Sequence, residues 1–215
     1  MNTLAIDTAT GISVGVAKDG KPVVSLREED TRSHAELTQS LVNKALDMAG
    51  VGLDELSLIV AGIGPGPFTG LRVGIVTATV SASLLQIPVK GVCSLDAIAL
   101  SAQCAENFVV ATDARRKEVY WATYRPDRTR IGEPQVSAPE QVPDLPVCGP
   151  ALEKYPDLGV GAFKAELDAG ILAAEASQLA DLGTSPIYLR KPDASLPSKR
   201  KSTLTHRRLT IPKAK

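Results

Sequence analysis

One pattern occurs twice in this chain, and it limits the possible folds more than any composition figure. Near the start a short apolar-rich run, Asn2 to Ile6, stops at Asp7. Thr8-Ala9-Thr10-Gly11 is small and polar, and Ile12, Val14 and Val16 then alternate with Ser13, Gly15 and Ala17, the period-two signature of a strand. Roughly one hundred residues later Phe108 to Thr112 runs apolar into Asp113, Ala114-Arg115-Arg116-Lys117 is polar, and Val119, Trp121 and Thr123 alternate with Tyr120, Ala122 and Tyr124. Two copies of strand, aspartate, polar turn and strand point to two related lobes and not to a solenoid. The expected division is a first lobe over 1–105, a smaller second lobe over 106–190 and a basic tail over 191–215.

The segments between fill in an α/β plan. Asp19-Gly20 is a hairpin signal, and Pro22 to Leu26 supplies a third strand. Ser33 is the expected N-cap of a helix over Ala35 to Ala49, with Glu36 placed as in a capping box and Gly50 as its end. Leu37, Leu41, Ala45 and Met48 form one helical stripe and Val42, Leu46 and Ala49 a neighbouring one, a broad apolar face. Leu56 to Ile63 reads as a strand buried on both faces, running into a loop at Gly64-Pro65-Gly66-Pro67. A second helix from near Thr69 to about Leu85 is small or apolar almost all round, which predicts burial against more than one neighbour. Pro88 stops it, and Ser94 to Ala105 reads as a third helix. Pro126 to Pro156 predicts short strands and long loops, Ile171 to Leu182 a helix, and Ile187 to Leu189 a last short strand.

Charge is balanced, with 24 basic and 24 acidic residues, but unevenly spread: Lys199 to Lys215 holds seven basic residues and no acidic one. Cys93, Cys104 and Cys148 are odd in number and lack a C-x-x-C pair, so free thiols are expected in place of a disulfide framework or zinc site. No basic region followed by an apolar run opens the chain, and no apolar run reaches the roughly 18 residues of a membrane span. The expectation is a soluble, cytoplasmic protein with no membrane contact.

Catalytic patterns are scarce. A hydrolytic triad needs a base beside a nucleophile, yet the two histidines are His34, at a helix start, and His206, in the tail, and no G-x-S-x-G elbow is present. H-E-x-x-H is also missing, and two distant histidines do not make a typical zinc site; His34 reads as a capping or partner-facing residue. Asp7, Thr8 and Thr10 are weak cofactor-binding candidates, since a turn between two strands can hold phosphate on its amides and magnesium on its carboxylate. Gly64-Pro65-Gly66-Pro67-Phe68-Thr69-Gly70 precedes a helix N-terminus, but Pro65 and Pro67 have no N–H to offer and the G-K-[ST] ending is missing. It reads as a stiff structural loop. Ala114-Arg115-Arg116-Lys117 reads as a solvated hairpin tip. The tail admits a nucleic-acid reading beside the plain one of a solvated end, and with no aromatic residue from Lys199 to Lys215 it offers no base stacking.

Asp7-Thr8-Ala9-Thr10, Gly64-Pro65-Gly66-Pro67-Phe68-Thr69-Gly70-Leu71-Arg72-Val73-Gly74, Ser94-Leu95-Asp96-Ala97 and Tyr188-Leu189-Arg190 resemble the TsaB family, also called YeaZ. The similarity is strong over about 1–125 and weak across the second lobe. It implies the two-lobed α/β fold of actin, hexokinase and the Hsp70 ATPase domain (ribonuclease H-like), with the second lobe reduced. It also implies a part in adding a threonylcarbamoyl group to N6 of the adenosine next to the anticodon, in tRNAs reading codons that begin with A. In that family the chain is no enzyme and needs no cofactor. It pairs with a TsaD-like catalytic subunit, a TsaE-like ATPase joins them, and tRNA is reached indirectly or through the tail. The catalytic relative's H-x-x-x-H metal motif falls near Ser94 and Ile98, and neither is histidine. The partner contact is implied for the first two helices, hence Leu37, Leu41, Val42, Ala45, Met48, Arg72 and Val76, with a homodimer through the same surface when the partner is absent. The alternative is an independent ATP-binding phosphotransferase of the actin/hexokinase fold.

Overall fold

Alternating residues bracketed by hairpin signals build the first sheet. The computed structural model describes residues 1–29 and 34–190; the expected N-cap Ser33, the side chain of His34 and the basic tail lie outside the described part. β1 (Asn2–Asp7), β2 (Ile12–Lys18) and β3 (Lys21–Glu28) form an antiparallel meander. Its second turn is Asp19-Gly20, with φ of 50° and 71°, as a two-residue hairpin of the favoured twist requires. α1 (His34–Ala49) leads to β4 (Leu56–Gly62), which pairs parallel with β1, and α2 (Phe68–Leu85) leads to β5 (Val89–Val92), parallel to β4. The sheet order is β3-β2-β1-β4-β5.

The second sheet repeats this plan strand for strand. β6 (Phe108–Arg115), β7 (Glu118–Tyr124) and β8 (Arg130–Ser137) form the antiparallel meander. β9 (Pro146–Cys148) joins β6 in parallel and β10 (Gly161–Ala162) joins β9, giving the order β8-β7-β6-β9-β10. This duplicated topology is the two-lobed actin/hexokinase-like fold. The second copy is reduced because its crossovers are 3-10 turns, Pro139–Gln141 and Pro150–Glu153, each opening on proline, where the first copy has α1 and α2.

Strand alternation splits the core into layers. Leu4, Ile6, Val14, Val16, Ile59 and Ala61 meet Val42, Ala45 and Leu46 of α1 and Ala78 and Ala82 of α2. The opposite face, with Ala5, Ala17, Val60 and Val92, meets Leu95 and Ile98 of α3 (Ser94–Ala99), Leu172 of α4 (Ala169–Glu175), and Phe108, Val110 and Tyr124 from the second sheet. The thiols of Cys93 and Cys148 are buried and that of Cys104 half-buried, all free.

Several expectations change. α2 is buried on one face only, through Gly70, Leu71, Gly74, Ile75, Ala78 and Ala82, while Phe68, Val76, Val80 and Leu84 are exposed. Small residues all round gave no sign of which face the sheet would take. By length and composition α2 is also the one helix among the described residues long and apolar enough to cross a membrane, although its inner face is docked on the sheet. α3 ends at Ala99, six residues early, where Ser101 is drawn to the Glu166 carbonyl at 2.6 Å. α4 starts two residues early because Asp168 caps the amides of Gly170 and Ile171 at 2.8 and 3.0 Å. It ends early as the chain turns to the β5 edge, with Leu182 N–H on the Gly91 carbonyl at 2.8 Å. Ile187 to Leu189 forms no strand; Ile187 N–H makes a single bond to Ile63 at 2.8 Å.

α4 seats on β2 at Gly15, where a Cβ would lie 2.1 Å from the Ala169 carbonyl carbon and 2.2 Å from Gly170 N. Backbone cannot swing aside as a side-chain tip can. Gly15→Ala is therefore expected to destabilise the protein by at least about 2 kcal/mol in urea denaturation. Gly161→Ala, with nothing within 4 Å of its Cβ position, serves as the control and should leave the midpoint unchanged.

Candidate functional site

Three glycines let the first turn and the following elements touch. A Cβ on Gly62, at the end of β4, would fall 1.7 Å from Asp7 Oδ2; one on Gly66 would fall 3.0 Å from Ala9 Cα; one on Gly74 of α2 would fall 2.3 Å from Thr8 Oγ1. Thr8 then donates its hydroxyl to the Gly70 carbonyl at 2.8 Å, inside α2. Ser94 locks the loop from the other side: its Oγ accepts from Gly64 N–H at 3.1 Å, and its own N–H bonds the Gly64 carbonyl at 2.8 Å. The structure thus brings Asp7, Thr8 and Thr10 together with the Gly-Pro-Gly-Pro loop. It uses the glycines for backbone-to-turn packing, on the very ground over Ala9 that a phosphate would need. The cleft beside this turn, between Arg27 and Glu29 of the first lobe and Pro150 and Glu153 of the second, measures about 210 Å³, below the usual small-molecule site.

The expected partner-contact residues separate into buried, half-buried and exposed groups. Val42 and Ala45 are 1% and 0% exposed and belong to the protein's own core; their stripe faces the sheet, so they are unavailable to a partner. Leu37 and Leu41 are half-buried against that same core. Met48 and Val76 are 59% and 56% exposed, and Val80 and Leu84, which the sequence reading did not single out, are 51% and 79% exposed. Phe68, Arg72, Val76, Val80 and Leu84 recur every fourth residue, forming one i±4 ridge. At its start the Arg72 guanidinium lies 3.8 Å over the Phe68 ring, Phe68 stacks on Tyr188 at 5.1 Å, and Arg72 Nε donates to the Tyr188 hydroxyl at 3.2 Å. The strict four-residue spacing of Phe68, Arg72, Val76, Val80 and Leu84 was the available signal, hidden by the small apolar residues between.

Asp7 is the electrostatic centre of the turn. Oδ1 accepts from Ala9 N–H at 2.8 Å, while buried Oδ2 has no hydrogen-bond partner of normal geometry. Burial pushes its carboxyl up to about 6, tempered by the nearby Ser94 hydroxyl, the Ala9 amide and the Arg27 charge. Thr10 Oγ1 is likewise buried without a partner. A carboxyl raised from 3.8 favours its neutral form in the fold, so its contribution to stability is whole below pH 3.8 and is lost as pH rises through about 6. Asp7→Asn removes that loss. Its stability relative to the parent should climb between pH 4 and pH 8 by up to about 3 kcal/mol in urea melts. Parallel pH profiles would show that no charge is buried here.

The family model of TsaD, described as tRNA N6-adenosine threonylcarbamoyltransferase, matches residues 27–185. The Mycobacterium leprae protein ML0378 is 42% identical over 89% of this chain, which spans 55% of that protein's length. The Escherichia coli tRNA threonylcarbamoyladenosine biosynthesis protein TsaB is 30% identical, covering 88% of this chain and 95% of its own. The solved structure of YeaZ from Pseudomonas aeruginosa superposes with a TM-score of 0.73 at 29% identity, over 87% of this chain and 99% of that one. With the glycine-lined turn, the two-lobed topology and these matches in agreement, the chain belongs to the TsaD-type family and, within it, to the TsaB/YeaZ family of tRNA threonylcarbamoyladenosine biosynthesis proteins.

Proposed function

We propose that this chain is a non-catalytic subunit of the cytoplasmic machinery that makes threonylcarbamoyladenosine in tRNA, and that it works by docking its α2 ridge onto a TsaD-like catalytic subunit. The ridge carries the reading. Scattered exposed apolar residues are ordinary, but Phe68, Val76, Val80 and Leu84 line one ridge, with exposed Met48 on the neighbouring helix. Ridges of this spacing are what helices insert into one another's grooves. The Phe68–Arg72–Tyr188 cluster adds the aromatic and arginine anchors that dominate interface energetics. A TsaE-like ATPase joins the assembled pair, and a homodimer through the same ridge forms when the partner is missing.

The non-catalytic half rests on residue types. Ser94 and Ile98, where the catalytic pattern has histidines, are 1% and 0% exposed, and the Ser94 hydroxyl is already engaged by Gly64. Among the described residues no group of three or more His, Cys, Asp or Glu could hold a metal ion. The phosphotransferase alternative gains no support, since Gly66 packs directly on Ala9 at the turn that would have to bind phosphate.

Val80→Glu and Leu84→Glu, each tested on the full chain with the TsaD-like subunit of the same organism, should weaken assembly by at least about 100-fold. Both positions are exposed, so the melting temperature should stay within a few degrees. Full assembly by both folded variants would remove the ridge as the interface.

A further inference from the structure

α2 carries one charged residue among its 18, Arg72, and it stands exposed in the ridge, one turn before Val76. A surface arginine ordinarily samples many rotamers. This one is held. Its guanidinium lies 3.8 Å over the Phe68 ring, and its Nε donates to the Tyr188 hydroxyl at 3.2 Å. The Tyr188 ring in turn stacks on Phe68 at 5.1 Å. Among the described residues no carboxylate pairs with Arg72, whereas Arg27, Arg128, Arg130 and Arg190 each meet one.

The hydroxyl that holds Arg72 comes from 116 residues away in the chain, on a stretch fixed on both sides of it. Just before Tyr188, Ile187 bonds its N–H to the Ile63 carbonyl at 2.8 Å and packs against the cluster of Ile63, Leu71 and Ile75. Just after it, Arg190 donates to the Ala114 carbonyl of the second lobe at 2.8 Å. Both lobes therefore set where the Tyr188 hydroxyl stands, and the hydroxyl sets where the guanidinium points.

A planar guanidinium with one face on a ring and its Nε engaged still has Nη1 and Nη2 side by side. That pair matches a carboxylate through two parallel hydrogen bonds. The other exposed members of the ridge, Phe68, Val76, Val80 and Leu84, are apolar. Covering the ridge takes water from Arg72 and leaves its charge uncompensated unless the incoming surface brings the opposite one.

We infer that the head of the α2 ridge is a carboxylate receptor: the partner subunit presents an Asp or Glu side chain to Nη1 and Nη2 of Arg72, beside an apolar groove for Val76, Val80 and Leu84. Tyr188 is the positioning residue that aims this fork. The inference rests on the proposed docking of the ridge, and adds what the facing surface must carry. Because Arg72 is already ordered on Phe68 and Tyr188, little of its rotamer freedom remains to be lost on docking.

The test measures assembly of the full chain with the TsaD-like subunit of the same organism, by titration calorimetry in 0.05 M and 0.5 M salt, without tRNA or nucleotide. Arg72→Gln keeps length and polarity but not charge. It should weaken assembly about tenfold or more in 0.05 M salt and make the affinity less sensitive to salt. Arg72→Lys keeps the charge without the fork and should recover only part of the loss. Tyr188→Phe keeps the stacked ring and should weaken assembly about threefold in the parent but not in the Arg72→Gln background, where nothing is left to aim. Equal losses in both backgrounds would make Tyr188 a merely structural residue and overturn its positioning role. Assembly of Arg72→Gln at the parent's affinity and salt dependence, with Val80→Glu defective, overturns the carboxylate receptor and leaves ridge docking standing. A defect of Arg72→Gln that emerges only when tRNA or nucleotide is added assigns the fork to a phosphate and overturns it as well. Full assembly by both Val80→Glu and Leu84→Glu removes the ridge and this inference together.

Discussion

Thr8 and Gly74 can touch only because Gly74 has no side chain, and the position of α2 follows from that contact. The Thr8 hydroxyl reaches the Gly70 carbonyl at 2.8 Å, while Gly66 and Gly62 admit Ala9 and Asp7. Turn, loop and helix are thereby held as one body. A helix turns 100° per residue, so fixing Gly70 and Gly74 against the turn fixes the direction of every other α2 residue. Positions 72, 76, 80 and 84 are sent outward. The glycines that resemble a phosphate cradle thus create the outer ridge by settling which face is inner.

A second set of contacts ties the lobes together, and it uses the other short motifs. Ser94 holds the Gly64 backbone, and two residues on, Asp96 accepts from the Tyr124 hydroxyl at 2.7 Å, with Arg130 nearby at 3.6 Å. Burial raises the phenol well above its ordinary value, which keeps the proton on Tyr124 and makes it the donor. Tyr124 in turn stacks on Phe108 at 5.5 Å, and Phe108 meets Phe163 edge-on at 5.6 Å. From the far end of the chain, Tyr188 packs at the head of α2 and Arg190 reaches the second hairpin. The residues that define the resemblance are therefore junction residues.

Topology was legible in this sequence wherever a local signal decided it. Asp7, at the end of β1, and Asp113, two residues from the end of β6, each accept from the amide two residues on, at 2.8 and 3.0 Å, and mark the two copies of one fold. Asp19-Gly20 marked a turn that geometry required. What stayed hidden depended on distant partners. β5 is four residues long and exists because β4 offers it an edge. α3 stops where Ser101 meets Glu166, 65 residues away. The inward direction of Val42 and Ala45 was set by the sheet beneath α1, and a broad apolar face cannot say which part of itself is spoken for. Of the α2 ridge the sequence pointed to Arg72 and Val76 but not to Val80 and Leu84, because small residues on every side mask the difference between a face that packs and one that is exposed.

The two lobes have diverged in opposite directions from one plan. In the first, the turn after the opening strand is small and glycine-contacted, and long helices cover the sheet. In the second, those helices shrink to single 3-10 turns. Gly149 still approaches the first strand of its sheet, with a Cβ position 2.5 Å from the Ala111 carbonyl oxygen, as Gly62 approaches Asp7. The same close approach of a glycine to the first strand is therefore present in both sheets. Lys154 neutralises Asp113, the second turn is built from cations held at positive φ, and Gly66 fills the space above the first. With both turns occupied by the protein's own groups, what the two lobes present outward is an apolar ridge on the first and a basic hairpin tip on the second.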